Sequence, residues 1–313
     1  MRLLDTKPGQ YPGQADPFIL KSGGRYYIYV TGHDAIYAYH SDDLFTGWQY
    51  HGPVLQVPGL HAFWAPSVIE LDGKFYMYNS MDGADVVPDQ GDHEGAMHVS
   101  VADHPLGPFT LVKRILEPFS IDSHIVQNEA GLFLFYSANR FEGQRIGTCI
   151  YVDKMLDPFT PAGKPVLVVE PTMDEDIYWH DRYQKGQHWH TIEGAFYFRE
   201  GDWQYVMYSG NCFEKPTYYI GYARAKTDET DLTKIRFEKY PDENTYHPVL
   251  RANDFEEGTG HHSMIKENGQ WYAIYHARDD DAAGNAFDDR NARICKLHVQ
   301  DGIITAERYP DKV

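Results

Sequence analysis

Three carboxylates stand at the entries of short apolar strands: Asp16 in "ADPFIL", Asp122 in "IDSHIVQ" and Glu193 in "IEGAFYF". Carboxyl groups that converge on one pocket can do acid–base work. In glycoside hydrolysis one ionised carboxylate activates water while a second, protonated group donates to the leaving oxygen. A third carboxylate nearby makes the acid harder to ionise, because like charges raise its pKa. Asp16 lies among the backbone polar groups of a strand entry and is expected to stay ionised, as the base. Glu193 has a longer reach and aromatic neighbours; burial against rings would keep it protonated near neutral pH, as the acid. Asp122 is left as the modulator.

These residues work together only if the chain brings them together, and the chain repeats itself five times. The pattern aromatic, any residue, bulky apolar, Tyr recurs, ending at Tyr29, Tyr78, Tyr136, Tyr208 and Tyr275. Each copy follows a turn signal ("SGG", "LDGK", "NEAG", "REGD", "KENGQ"), where Gly accepts positive φ at low cost. Each therefore reads as the second arm of a β-hairpin. The first arms open at Asp16, Trp64, Asp122, Glu193 and His261. Helical periodicity is nearly absent and strand-sized segments continue to "ARICKLHV", so the fold class expected is all-β. The repeats predict a five-bladed β-propeller that absorbs residues 1–313 as a single domain. Inner strands of a propeller run side by side around the axis. Asp16, Asp122 and Glu193, at equivalent positions of blades 1, 3 and 4, would then face each other across one funnel.

Composition narrows the partners. The net charge of -18, with no basic run, argues against nucleic acid and against an anionic membrane surface. Aromatic residues make up 15% of the chain; most of the 24 tyrosines read as strand residues and a few as ligand faces for flat polar molecules such as sugars. Three scattered cysteines, Cys149, Cys212 and Cys295, form neither a disulfide framework nor a zinc motif. With no apolar signal core in "MRLLDTKPGQ" and no stretch long enough to span a bilayer, a cytoplasmic protein is expected. "RDDDAAGNAFDD" has acids but not the spacing of a calcium loop and reads as a solvated loop. The two histidines of "HWH", His188 and His190, share a strand face without a third metal ligand, and pocket lining is the preferred role. The segments "DGADVVPDQGDHEG" and "YWHDRYQKGQHWH" are expected to wall the pocket.

In order along the chain, "ADPFI", "FWAPSVIELDGKFYMYNS", "DHPLGPF", "IDSHIV", "IEGAFYFREGDWQYVMYSGN" and "GTGHHSMIKENGQWYAIYHA" resemble glycoside hydrolase family 43, from about residue 11 to residue 300. The resemblance implies a five-bladed propeller and an inverting glycosidase acting on α-L-arabinofuranosides or β-D-xylosides. It implies Asp16 as base, Asp122 as pKa modulator and Glu193 as acid. It places His261, ahead of His262, near the axis and a bound cation, for which calcium is the choice, with no cofactor required. Trp64 becomes a sugar-facing aromatic, with Phe63 beside it as a further substrate contact. Arg290, ahead of Arg293, would reach the pocket from the last inner strand. Ser67, Ser123 and "QNEAG" depart from the family pattern at positions that bear on substrate preference. The chain ends soon after the fifth blade, without the extra β-sandwich that many β-xylosidases of the family carry, which tilts the expectation towards an exo-acting α-L-arabinofuranosidase. The partner expected is an oligosaccharide. Three alternatives stay open: a fructosidase-like enzyme on the same propeller, a non-catalytic carbohydrate-binding propeller, and a metal-dependent hydrolase.

Overall fold

The computed structural model describes residues 1–4, 13–83, 95–279 and 290–309. Most of the acidic run 278–289 and of the loop 82–95 lies outside the described residues. The rest is built from strands, with two single-turn 3-10 segments at Asp174–Asp176 and Leu232–Lys234. Five antiparallel blades surround one axis. Their inner strands are Phe18–Ser22, Leu60–Leu71, Ser120–Asn128, Trp189–Glu200 and Glu257–Glu267. Blades 3 and 4 merge into one sheet, because Gly147–Asp157 pairs in parallel with the blade 4 inner strand at Gly147↔His190 and Thr148↔Thr191. Only glycine fits at 147: a Cβ there would lie 1.8 Å from the His190 carbonyl oxygen.

The five inner hairpins share one metric. Each inner strand carries a residue with positive φ, or in blade 1 follows it by two residues: Asp16, Ala65, Asp122, Gly194 and His261. Six residues on, the first arm ends at Ser22, Leu71, Asn128, Glu200 and Glu267, and the second begins three residues later. The pairs Ile19↔Ile28, Val68↔Met77, Ile125↔Leu134, Tyr197↔Val206 and Met264↔Ala273 are therefore equivalent. On this metric the tyrosine repeat slips. Tyr29 and Tyr78 are equivalent to Phe135, Met207 and Ile274, so the tyrosines of blades 3 to 5 sit one residue later. The openers slip as well: Asp16, Asp122 and His261 hold the positive-φ position, whereas Trp64 and Glu193 stand one residue before it. The aromatic pattern hid this offset because two consecutive positions of a half-buried strand both accept large rings.

Most tyrosines are structural. Tyr29 and Tyr78 are buried between blades and donate to the carbonyls of Pro105 and Pro158, each at 2.7 Å. Serine pins join neighbouring inner strands. Ile19 N–H donates to Ser263 Oγ at 2.9 Å, linking blade 1 to blade 5, and Ile125 N–H donates to Ser67 Oγ at 3.1 Å, linking blade 3 to blade 2. These contacts fix the height at which the positive-φ residues meet.

Candidate active site

A cavity of about 630 Å³ opens on the axis, a size suited to a small ligand. Asp16, Asp122, Glu193, Trp64, His261 and Arg290 line it. Phe63 and His190 do not, and strand alternation explains both. Trp64 faces the cavity, so Phe63 next to it faces the core between blades 1 and 2, fully buried. Along blade 4, Trp189, Thr191 and Glu193 face the cavity at a spacing of two, so His190 points the other way. Its Nδ1 lies 3.2 Å from the Ile146 carbonyl oxygen and its Nε2 3.0 Å from Arg145.

The positive-φ bulges turn Asp16, Asp122 and His261 towards the axis, at φ of 51°, 57° and 38°. The left-handed conformation costs a non-glycine residue about 1–2 kcal/mol and is held here by dense bonding. Asp16 Oδ2 accepts from the Thr31 hydroxyl at 2.5 Å, and that hydroxyl in turn accepts from Ala65 N–H at 2.9 Å. Asp16 Oδ1 faces His276 Nδ1 at 3.3 Å, His261 Nδ1 at 3.4 Å and Arg290 at 3.6 Å. Asp122 Oδ2 accepts from Gly194 N–H at 3.2 Å and Ser137 Oγ at 3.4 Å, while its Oδ1 lies 3.9 Å from His261 Nδ1. Glu193 Oε1 accepts from the Tyr218 hydroxyl at 2.7 Å. The Tyr218 ring stacks on His276 at 5.8 Å, so two rings connect the contacts of Glu193 to those of Asp16.

Asp16 and Asp122 are buried and Glu193 is half-buried, yet the three carboxyls are shifted differently. Burial alone would raise Asp16, but His261, His276 and Arg290 outweigh it and hold its carboxyl well below the usual range. Burial lowers both histidines, His276 to about 4, so near neutral pH the rings are uncharged and Arg290 is the standing positive charge. Burial raises Asp122 well above its ordinary value; the charges of Glu193 and Asp16 add to this, and the Gly194 and Ser137 bonds offset only part. Glu193 is pushed up to about 7 by burial, against the Tyr218 bond and Arg290 and with the Asp16 charge. The site therefore holds an ionised Asp16 beside an Asp122 pushed towards its neutral form and a Glu193 that titrates at about 7.

Calcium takes roughly 6–8 oxygen ligands. His261 offers a nitrogen, and the Asp16 oxygens it faces already face Arg290, His276 and Thr31. Among the described residues no group of three His, Cys, Asp or Glu side chains is arranged to hold a metal. No step below runs through a metal ion.

Of the second choices, Arg293 is occupied elsewhere, with its guanidinium 2.6 Å from Asp279 and 3.4 Å from Glu256. His262 packs under the cavity floor, 5.9 Å from the Phe196 ring. Sequence reading missed Thr31, Tyr218 and His276. Tyr218 had a signal, since Gly260 in "GTGHH" marks a close approach: a Cβ there would lie 1.8 Å from the Tyr218 ring. Thr31 had one too, since the register of the blade 1 hairpin sets it opposite Asp16, where its N–H donates to the Ala15 carbonyl at 3.1 Å; His276 had none, because its bond to Asp16 follows from the packing of blade 5 on blade 1. The segment "YWHDRYQKGQHWH" does wall the cavity, through Tyr178, Arg182 and Trp189.

Five blades around a cavity lined by carboxyls whose pKa values are driven in opposite directions define a propeller with an acid–base site of the glycoside-hydrolase kind. The model for glycosyl hydrolases family 43 matches residues 10–304, and the chain belongs to glycoside hydrolase family 43. It is 26% identical to an extracellular exo-α-(1→5)-L-arabinofuranosidase of Streptomyces avermitilis, over 90% of this chain and 58% of that one. It is 24% identical to a xylosidase/arabinosidase of Thermoclostridium stercorarium, over 85% and 59%. The chain thus spans under three fifths of the length of these relatives. A crystal structure of a thermostable family-43 glycoside hydrolase superposes with a TM-score of 0.79 at 27% identity, covering 98% of this chain and 97% of that one.

Proposed function

We propose that the protein is an inverting, exo-acting α-L-arabinofuranosidase with accompanying β-D-xylosidase activity. The observation that carries this is the split in protonation across one cavity: Asp16 held ionised, Glu193 held near pH 7. Asp16 takes a proton from water as the water attacks the anomeric carbon. Glu193 gives its proton to the departing oxygen as the glycosidic bond breaks, leaving Asp16 neutral and Glu193 ionised. Exchange with solvent restores both. Thr31 fixes one Asp16 oxygen and Tyr218 one Glu193 oxygen, so each carboxyl presents its other oxygen to the reaction. Asp122, pushed towards its neutral form and bonded to Gly194 N–H, holds the backbone beside Glu193 in place. The pentose preference is supported by the arabinofuranosidase and xylosidase/arabinosidase relatives. The test is hydrolysis of p-nitrophenyl α-L-arabinofuranoside and β-D-xyloside side by side, with NMR of the first-formed anomer. Release of pentose in the inverted configuration supports the reading; a retained product, or release from neither glycoside, overturns it.

A further inference from the structure

The wall of the cavity on the blade 4 side continues outward as a built hairpin. Strand Ile177–Trp179 pairs with the inner strand at Ile177↔His190 and Trp179↔Trp189. Across the tip, Arg182 N–H donates to the Gln187 carbonyl at 3.1 Å and Gln187 N–H to the Gln184 carbonyl at 3.0 Å. Its base is anchored by the fully buried Asp176, which accepts from Thr172 N–H and Met173 N–H and from the Tyr219 hydroxyl at 2.5 Å. Asn211 adds a bond to the Glu175 carbonyl at 2.8 Å, and Lys215 donates to the Tyr178 carbonyl.

This rigid hairpin holds aromatic surface in water. Trp179 is 54% exposed, Tyr183 40% and, beside them, Phe141 54%. Arg182 spreads its guanidinium over the rings of Trp189, Tyr183 and Trp179 at 4.5, 5.2 and 5.4 Å, which orders the cluster. Phe141 packs on Trp189 at 5.4 Å. Two members, Arg182 and Trp189, also line the cavity, so the patch is continuous with the site. Large exposed rings gathered at a cavity mouth mark a binding surface. Their flat apolar faces suit the C–H faces of a sugar.

Direction follows from the strand. Trp189 and Glu193 face the same side of one inner strand, four residues or about 13 Å apart. Glu193 is the group that meets the leaving oxygen, whereas Asp16 approaches from blade 1. The part of the substrate that leaves must extend along the Glu193 side, towards the hairpin. We propose that the hairpin 177–189, with Phe141, is a subsite for the aglycone: it takes the neutral sugar units beyond the scissile bond, with Trp179 and Tyr183 as stacking faces. This rests on the glycosidase reading and adds where the sugar units beyond the scissile bond are held.

The experiment compares wild type with Trp179→Ala, Tyr183→Ala and Trp179→Phe on α-1,5-linked arabino-oligosaccharides of two, three and four units. Melting curves verify the fold, since both side chains are exposed. In wild type, kcat/KM is expected to rise with chain length. Each alanine variant is expected to lose about fivefold to tenfold on the trimer and tetramer through KM, with kcat unchanged and Trp179→Phe largely restored. Wild-type kcat/KM independent of length, or alanine variants equal to wild type on the tetramer, would overturn the subsite while leaving the catalytic reading intact. If wild type cleaves none of these, the pentoside reading fails. Calorimetric titration of the same oligosaccharides then decides the subsite, with equal affinity in wild type and Trp179→Ala counting against it.

Discussion

Asp16 and Asp122 occupy the same position of the same repeat. Both stand at the positive-φ bulge of an inner strand, both are buried, and both lie within reach of His261 Nδ1. Their carboxyls nevertheless move in opposite directions, Asp16 down and Asp122 up. The backbone does not distinguish them. Asp16 faces Arg290 and two imidazoles from blade 5, whereas Asp122 faces a peptide N–H, a hydroxyl and the negative field of Asp16 and Glu193. Register decides where a carboxyl stands, and the neighbouring blade decides what it can do.

The most direct way to break the comparison is to replace each aspartate by its neutral isostere. Asp16→Asn removes an ionised base and is expected to lower kcat about 10⁴-fold, towards the upper end of what a general base contributes. Asp122→Asn exchanges a carboxyl that is pushed towards its neutral form for a neutral amide whose oxygen can still accept from Gly194 N–H. Its expected loss is about tenfold to a hundredfold. Steady-state kinetics on an aryl arabinofuranoside measures both; equal losses would mean that Asp122 works as an anion.

A smaller effect tests the partner of both, Glu193. The Tyr218 hydroxyl bond favours the ionised form of Glu193 and so lowers its pKa. Tyr218→Phe removes that bond, and the pKa rises above about 7. Because the reaction needs protonated Glu193, activity in wild type should fall as pH rises through about 7. In Tyr218→Phe this alkaline limb should move upward by about half a unit to one unit, with a several-fold drop in kcat as the carboxyl loses its orientation. The acidic limb belongs to Asp16 and lies at low pH in both proteins. A pH–kcat/KM profile reads both limbs, and an unmoved alkaline limb in the variant would separate Tyr218 from Glu193.

The blade count and the three carboxylates were legible because hairpin chemistry is local: a two-residue glycine turn and its flanking apolar runs sit within about 15 residues. What local pattern misplaced was phase. Tyr136, Tyr208 and Tyr275 mimic Tyr29 and Tyr78 one residue late, and Glu193 stands one residue before the position that Asp16 and Asp122 hold. Phe63 and His190 failed for the same reason, since a one-residue error in a strand turns a side chain from pocket to core. The charge-setting contacts were reached in part: Thr31 stands across the blade 1 hairpin from Asp16, a local pairing that was overlooked, and Arg290 came only through the family resemblance. His276 meets Asp16 only after five blades close into a ring, and no spacing in the chain encodes that closure.

The smallest test asks whether the shared position of the two aspartates has a shared cause. The strand carrying Asp16 is pinned by Ser263 through Ile19 N–H, and the strand carrying Asp122 by Ser67 through Ile125 N–H. Both serines are buried, and each pin comes from the preceding blade in the ring. Ser263→Ala and Ser67→Ala each leave one buried N–H without its acceptor, a cost of about 1–2 kcal/mol, and thermal melting should show similar losses for the two. Their effects on activity should differ. A shift of the Asp16 strand moves the ionised base against Arg290, whereas a shift of the Asp122 strand moves a carboxyl pushed towards its neutral form. Ser263→Ala should therefore lower kcat more than Ser67→Ala at equal loss of stability. If kcat falls equally in both, height along the axis matters for every residue of the floor, and the division between position and charge fails there.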